Sequence, residues 1–171
     1  MATDSADTLE IERSFIFKSS LPEDLNIDHS VYHEIGYLIA EDNELRIFKK
    51  KLLDGWHYAI TVKSDGNLSR KEWEVEIPEW TFNELWPKTE NCRVIKTRHW
   101  IRYNNWWLEV DEYYGLLAGL IRIECEFSSE EEAASFILPE WAQEYSDEVT
   151  ENHKFKNKNL AKFGLPNLTD M

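Results

Sequence analysis

The sequence is poor in cysteine, in zinc-binding histidine patterns and in long apolar runs. Its only cysteines are Cys92 and Cys125, in 171 residues, which excludes a disulfide framework. No apolar run approaches the roughly 18 residues that a membrane-spanning helix needs, and no charged-then-apolar signal segment stands at the start. None of the five histidines falls at a zinc-binding spacing such as HExxH. These absences predict a cytoplasmic protein without a soft-metal site.

Positive charge is also scarce. Lysine and arginine number 19 and aspartate and glutamate 33, which gives a net charge of −14 with the histidines neutral. Such a surface repels nucleic acid and anionic membranes unless a basic site is enclosed within it, so we expect neither as a partner. The hydrophobic fraction of 42% predicts a single domain over residues 9–171. We expect the small, polar residues 1–8 to be disordered.

Short strands separated by turn residues dominate the chain. In the first, LEIERSF, side-chain alternation places Glu10, Glu12 and Ser14 on one face and apolar residues on the other, interrupted only by Arg13. A brief helix is expected between this strand and one near residues 36–39. TFNELW, the start of SSEEEAASFILPEW and NKNLAKFG predict further short helices. The regular spacing of the strands indicates an antiparallel meander.

The polar faces of these strands are unusually rich in charge. Seven strands repeat the alternation of the first, with arginine, lysine, glutamate and aspartate where a wet sheet would carry serine and threonine. One such face is explained by exposure to water. Charged faces on so many strands, with both signs of charge, predict a charged interior, such as a closed barrel with a polar lumen.

The order and spacing of several motifs resemble the CYTH, or triphosphate tunnel metalloenzyme, family. The sequence is most similar to the small bacterial inorganic tripolyphosphatases within it. The motifs that carry the resemblance are EIERSF, GYL, ELRIF, TVKSDGNLSRKEWE, LWP with KTR, EVD and IECEF, followed by EVT and FKNKNLA.

The resemblance implies both a fold and an activity. The fold is mainly β, a closed antiparallel eight-stranded β-barrel forming a charged tunnel, with short helices packed outside it and at the C-terminus. The activity is metal-dependent hydrolysis of a triphosphate compound, foremost inorganic tripolyphosphate. Such a compact anion needs several converging cations, while Mg²⁺ or Mn²⁺ held by carboxylates neutralises charge on the bridging and leaving oxygens.

The resemblance also assigns roles to individual residues. Tyr37 and Lys96 are implied as catalytic residues, and Glu72, Arg122 and Ser14 as supporting ones. Phosphate binding is implied for Arg46, Lys63, Arg70, Lys96 and Arg98. Metal binding is implied for Glu10, Glu12, Asp111, Glu124 and Glu126, although Asp111 and Glu72 could instead orient the cations.

Two positions depart from the family motifs, because Ser14 replaces a lysine and Phe48 replaces an arginine. A charge-assisted hydrogen bond contributes roughly 1.5–3 kcal/mol, so we expect the activity to be weakened or altered unless Lys50 or Arg122 compensates. Three functions remain open: a triphosphate hydrolase, a triphosphate-binding or nucleotide-binding module without efficient turnover, and a class IV-like adenylyl cyclase. Whether two chains pair as a homodimer is also open.

Overall fold

The computed structural model of the protein describes residues 8–40, 43–64 and 69–166, and only the backbone of residues 8–10, 40, 69 and 70. The segment expected to be disordered, residues 1–8, lies outside the described residues except for Thr8. The strands are β1 (Thr8–Phe17), β2 (His29–Ala40), β3 (Glu44–Leu52), β4 (Gly55–Lys63), β5 (Ser69–Glu76), β6 (Arg93–Tyr103), β7 (Trp106–Tyr113), β8 (Ile121–Phe127) and β9 (Ser146–Glu148).

These strands form one antiparallel sheet in the order β5-β4-β3-β2-β6-β7-β8-β1-β9. β1 additionally pairs with β5, from Thr8 opposite Glu72 to Ile11 opposite Ser69. The prediction of eight strands was wrong by one for the described part of the chain. The extra strand is the three-residue β9, which pairs with Phe15–Phe17 of β1.

The helices predicted at TFNELW, at the start of SSEEEAASFILPEW and at NKNLAKFG are present as α1 (Glu79–Leu85), α2 (Glu130–Ser135) and α4 (Asn157–Phe163). α2 ends at Ser135, and a separate helix, α3 (Glu140–Gln143), follows it. Ser129 caps α2 by accepting a hydrogen bond from the Glu132 amide. The helix expected before residue 36 is absent from the described structure, where β2 begins at His29. No helix among the described residues has the length and apolarity to cross a membrane.

One apolar core lies on the outer face of β1, β6, β7 and β8. α2 and α3 cover it, with Phe15, Leu108 and Ile123 of the sheet in the same cluster as Phe136 and Ala142. Arg13, the charged residue on this outer face, donates to Glu148 and to the carbonyls of Ala133 and Phe136. It thereby ties the C-terminal segment to β1.

A second apolar cluster lies on the inner, charge-bearing face of the sheet. Ile35 and Val94 are direct partners on β2 and β6, and Leu160 of α4 packs in the same cluster. The expectation that all C-terminal helices cover the outside was therefore wrong for α4, which packs against apolar residues at one end of the inner face.

Gly36 shows why the GYL motif needs its glycine. A Cβ atom at this position would lie 2.4 Å from Oγ1 of Thr89. Thr89 is fully buried and accepts a hydrogen bond from Arg93. The segment after α1 therefore approaches β2 closely only because residue 36 has no side chain.

Candidate functional site

The charged faces of the strands converge on a cavity of about 410 Å³. Each of β1 to β8 contributes at least one lining residue. The lining cations are Arg46, Lys50, Lys63, Lys96 and Arg98, and the lining carboxylates are Glu12, Glu72, Glu74, Glu109, Glu124 and Glu126. A smaller pocket shares Glu12, Arg46 and Glu124 with this cavity and adds Ser14, Glu44 and Arg122. The predicted charged interior is therefore present.

Asp111 lies at the centre of the ion network and is completely buried. It accepts hydrogen bonds from Lys96 and from two nitrogens of Arg98, at 2.7 and 2.9 Å for Arg98, and Arg122 lies 3.5 Å away. Burial alone would raise its pKa, but Arg98 and Lys96 outweigh that effect and lower it well below the usual range. Because cations surround both oxygens, this geometry favours orientation of the cations over metal binding for Asp111.

Glu72 performs a similar task on the other side of the cavity. Its carboxylate is 2.5 Å from the Lys63 ammonium and 3.6 Å from the Arg46 guanidinium. Lys63 and Glu72 are cross-strand partners of β4 and β5, which explains why their side chains meet. This position agrees with the supporting role expected for Glu72.

Several buried hydrogen-bonding atoms have no partner among the described residues. They include Nε of Arg46 and Nε of Arg122. Buried polar groups are usually paired, because an unpaired one costs the full desolvation penalty. Two guanidinium donors without partners beside a cavity indicate a place where an anion binds.

The two predicted catalytic residues have different surroundings. Lys96 lines the cavity, and burial together with Arg98 lowers its pKa to about 8. Tyr37 is almost fully buried in the inner apolar cluster, and burial raises its pKa. Lys96 is therefore placed to exchange a proton with a ligand, whereas the catalytic role of Tyr37 stays a prediction.

The predicted metal ligands lie on neighbouring strands. Glu12 of β1 is the direct partner of Glu126 of β8, and Ser14 is the partner of Glu124. Opposed carboxylates repel each other, so a bound cation would stabilise the Glu12–Glu126 pair. Glu124 instead accepts hydrogen bonds from Arg98 and Arg122, at 2.7 and 3.0 Å.

No group of three or more acidic, histidine or cysteine side chains arranged to hold a metal ion occurs among the described residues. The side chain of Glu10, a predicted metal ligand, lies outside the described residues. The same holds for Arg70, a predicted phosphate ligand; the backbones of Glu10 and Arg70 are paired across β1 and β5. Their roles stay predictions.

The two positions that depart from the family motifs both face the interior. Ser14 lines the smaller pocket, beside Arg122 and Glu124, and Phe48 lines the main cavity. Arg122 is buried and near Ser14, and Lys50 lines the same cavity as Phe48. Cations are thus present close to both substitutions.

Several cavity residues were not among the candidates from the sequence, and Glu109, Glu44 and His33 are three of them. Glu109 is the cross-strand partner of Glu124 and binds Arg98. Glu44 is buried in the smaller pocket. His33 lines the main cavity between two lysines. The alternation of side chains already indicated that Glu109 faces the interior. Glu44 and His33 lie on strands in which each face mixes residue types, so the alternation gave a weaker signal there.

Comparison with known proteins identifies relatives of the whole chain, although no protein-family model matches it. It is 39% identical over 153 residues to the inorganic triphosphatase of Nitrosomonas europaea, covering 89% of this chain and 96% of the relative. It is 32% identical over 158 residues to the inorganic triphosphatase of Acetivibrio thermocellus, covering 90% and 93%.

Solved structures agree with these matches. The crystal structure of the inorganic triphosphatase NE1496 superposes with a TM-score of 0.66 at 35% identity, over 98% of this chain and 99% of that one. A putative adenylyl cyclase from Hippeastrum has a TM-score of 0.56 at 16% identity, over 73% and 82%, which shows a shared fold alone. With relatives above 30% identity matching about nine-tenths of its length, this chain belongs to the CYTH, or triphosphate tunnel metalloenzyme, family, alongside bacterial inorganic triphosphatases.

Proposed function

We propose that this protein is an inorganic triphosphatase that cleaves a phosphoanhydride bond of tripolyphosphate. The observation that carries the proposal is one cavity in which five lysine and arginine side chains face six carboxylates. Tripolyphosphate is a small polyanion, so its binding requires cations that converge from several directions. Relatives named inorganic triphosphatases, at 39% and 32% identity, support the same conclusion.

In this proposal the sheet closes into a tunnel around the substrate. The pairing of β1 with β5 joins the two sides of the sheet, and lining residues come from each of β1 to β8. Enclosure matters because charge interactions strengthen where water is excluded. A single domain over residues 9–171, a cytoplasmic location and a homodimer stay predictions.

Phosphate binding is assigned to the lining cations, four of which are already held by a carboxylate. Glu72 positions Lys63 and Arg46, and Asp111 positions Lys96 and Arg98. Side chains that are fixed in advance lose less entropy when the ligand binds. The guanidinium of Arg46, whose Nε has no hydrogen-bond partner among the described residues, supplies donors beside the cavity for a phosphate oxygen.

Glu12 and Glu126, together with Glu10, fit a hard divalent cation, Mg²⁺ or Mn²⁺. Carboxylate oxygens are the ligands that such ions prefer, and strand pairing places Glu12 of β1 opposite Glu126 of β8. When bound, the ion would neutralise charge on the phosphate oxygens.

Lys96 has the chemistry of a proton donor for the leaving group. Its pKa of about 8 lies close to neutral pH, so its ammonium gives up a proton more readily than an ordinary lysine. As water attacks the terminal phosphorus and the bridging P–O bond breaks, the Lys96 proton passes to the departing pyrophosphate oxygen. Asp111 holds the ammonium in place for this transfer.

The test is phosphate release from tripolyphosphate, ATP and thiamine triphosphate in Mg²⁺ or Mn²⁺. Tripolyphosphate should be cleaved fastest. Lys63→Met should lower kcat/KM about 10- to 150-fold, the equivalent of one charge-assisted contact of roughly 1.5–3 kcal/mol. Lys51→Met is the matched control, because Lys51 is exposed on the outer face of β3, and it should leave the rate unchanged.

Other results would contradict the proposal. Tight tripolyphosphate binding without phosphate release would indicate a binding module, because uniform binding does not accelerate the chemical step. Formation of a cyclic nucleotide from ATP would indicate a cyclase. Equal effects of the Lys63 and Lys51 substitutions would show that the reaction takes place outside this cavity.

A further inference from the structure

We propose that His33 is an additional phosphate-binding residue of the cavity, uncharged in the free protein and protonated when a triphosphate binds. The inference rests on the proposed function, because it needs the polyphosphate anion to enter this cavity. It adds a ligand-dependent cation to the permanent ones and makes substrate affinity depend on pH.

The position of His33 is set by strand pairing. On the cavity face of β2, His33 is the direct partner of Lys50 on β3 and of Lys96 on β6. All three residues line the main cavity. The imidazole therefore lies between two lysines, where a bound phosphate would contact the imidazole and both ammonium groups.

Hydrogen bonding fixes which ring nitrogen faces the ligand. Nδ1 of His33 is 3.0 Å from the backbone carbonyl of Val31, which can only accept, so Nδ1 carries the proton. Nε2 makes no hydrogen bond within the part of the chain that the structure describes. An unprotonated Nε2 repels a phosphate oxygen, whereas a protonated one donates to it, so binding at this nitrogen requires uptake of a proton.

The surroundings keep the free imidazole neutral. Burial, followed by the charges of Lys96 and Arg98, lowers the pKa of His33 to about 3, and Asp111 opposes this only in part. The titratable and charged groups that face it are Lys50 on β3, Lys96 and Arg98 on β6, Asp111 on β7, and His29 and Tyr37 on β2 itself.

A triphosphate reverses this balance. Its negative charges offset those of Lys96 and Arg98, which oppose protonation together with burial, and they attract the proton directly. The pKa of His33 in the complex is therefore higher than in the free protein. Protonation linked to binding means that affinity is highest at low pH and falls as pH rises through the pKa of the complex.

A protonated His33 would compensate for the arginine that Phe48 replaces. The Phe48 ring centroid lies 6.4 Å from that of His33, at the position where the family motif carries a second arginine. A histidine that charges only with the substrate replaces the missing contact. It also adds no permanent repulsion to an already crowded group of cations.

Imidazole NMR resonances test the inference directly. We would titrate the protein at pH 7 with sodium tripolyphosphate and EDTA, so that binding occurs without metal-dependent turnover, and assign the His33 signals with His33→Gln. The expected result is a change of His33 from the neutral to the imidazolium form, with net proton uptake that is reduced in His33→Gln. Comparison with this variant removes proton uptake by Lys96 and by the ligand itself.

The outcomes separate this inference from the proposed function. If resonances of other cavity residues shift at saturation while His33 stays neutral, the inference fails and the function stands. If no resonance shifts, the inference fails, and the phosphate-release assay with Mg²⁺ or Mn²⁺ decides the proposed function separately.

Affinity measurements supply a second readout that a purely structural histidine would not move. His33→Gln should bind tripolyphosphate about tenfold more weakly than wild type at pH 6 and about equally at pH 9. His33→Lys, which carries a charge across this range, should bind more tightly than wild type at pH 9. His99→Gln is the control, because His99 bonds Ser30 and Glu112 on the outer face. A His33→Gln defect of the same size at both pH values would overturn the inference.

Discussion

Replacing Asp111 with asparagine is the sharpest test of the ion network. The substitution preserves the shape of the side chain but removes the negative charge shared by Lys96, Arg98 and Arg122. Removing one partner of a buried ion pair typically costs about 3–5 kcal/mol, because the remaining charge is left uncompensated. Glu124 and Glu109 still contact Arg98, so we expect Asp111→Asn to destabilise the protein by about 3 kcal/mol at pH 7.

The effect should depend on pH with a defined sign. The folded pKa of Asp111 is depressed, and its unfolded pKa is about 3.9. Its contribution to stability is therefore complete above pH 4 or so and is lost as pH falls toward the depressed folded value. The difference in unfolding free energy between wild type and Asp111→Asn should be full at pH 7 and smaller at pH 3.

Urea unfolding followed by circular dichroism measures this difference. Asp147→Asn is the matched control, because Asp147 pairs with Lys18 at the surface, where both side chains are more than 40% exposed. Exposed ion pairs contribute about 0–1 kcal/mol, so the control should change little. Equal and small losses in both variants would refute the view that Asp111 is the centre of the network.

Three further predictions concern the carboxylates and Ser14. Glu12→Gln combined with Glu126→Gln should abolish the rise in melting temperature caused by Mg²⁺ or Mn²⁺, and an unchanged rise would place the metal elsewhere. Ser14→Lys should change kcat/KM for tripolyphosphate less than tenfold, because Arg122 already lies in that pocket; a hundredfold gain would show that the serine weakens the enzyme. Glu124→Gln should tighten metal-free tripolyphosphate binding about tenfold in calorimetry by releasing Arg122, and weaker binding would contradict this.

Much of the sheet could be predicted because side chains on a strand alternate with a period of two. Glu12, Lys63, Arg98 and Glu124 all face the interior as the alternation requires. The weakening expected from Ser14 and Phe48 has no support from the relatives, which are triphosphatases by name and match nearly the whole chain.

The role of His33 and the pairing of cations with carboxylates depend on contacts between strands, which the alternation of side chains along one strand does not identify. The inner face of β2 carries histidines and apolar residues, and its outer face carries mostly polar residues. Neither face shows the charged pattern of the other strands, so the alternation did not identify His33. A bulge between Tyr37 and Ile39 then shifts the register near the strand end. Which carboxylate holds which cation is fixed by the register between strands, as in the pair of Arg98 and Asp111.

The same network explains how metal and phosphate binding would support each other. Without a metal, Glu124 holds Arg98 and Arg122, and a phosphate must compete with this carboxylate for both guanidinium groups. A cation bound beside Glu12 and Glu126 would also attract Glu124 and would thereby weaken its hold on the arginines. Because such coupling is reciprocal, a triphosphate that engages Arg98 would free Glu124 for the metal. The mixed charge of the cavity would then make the binding of each ligand favour the binding of the other.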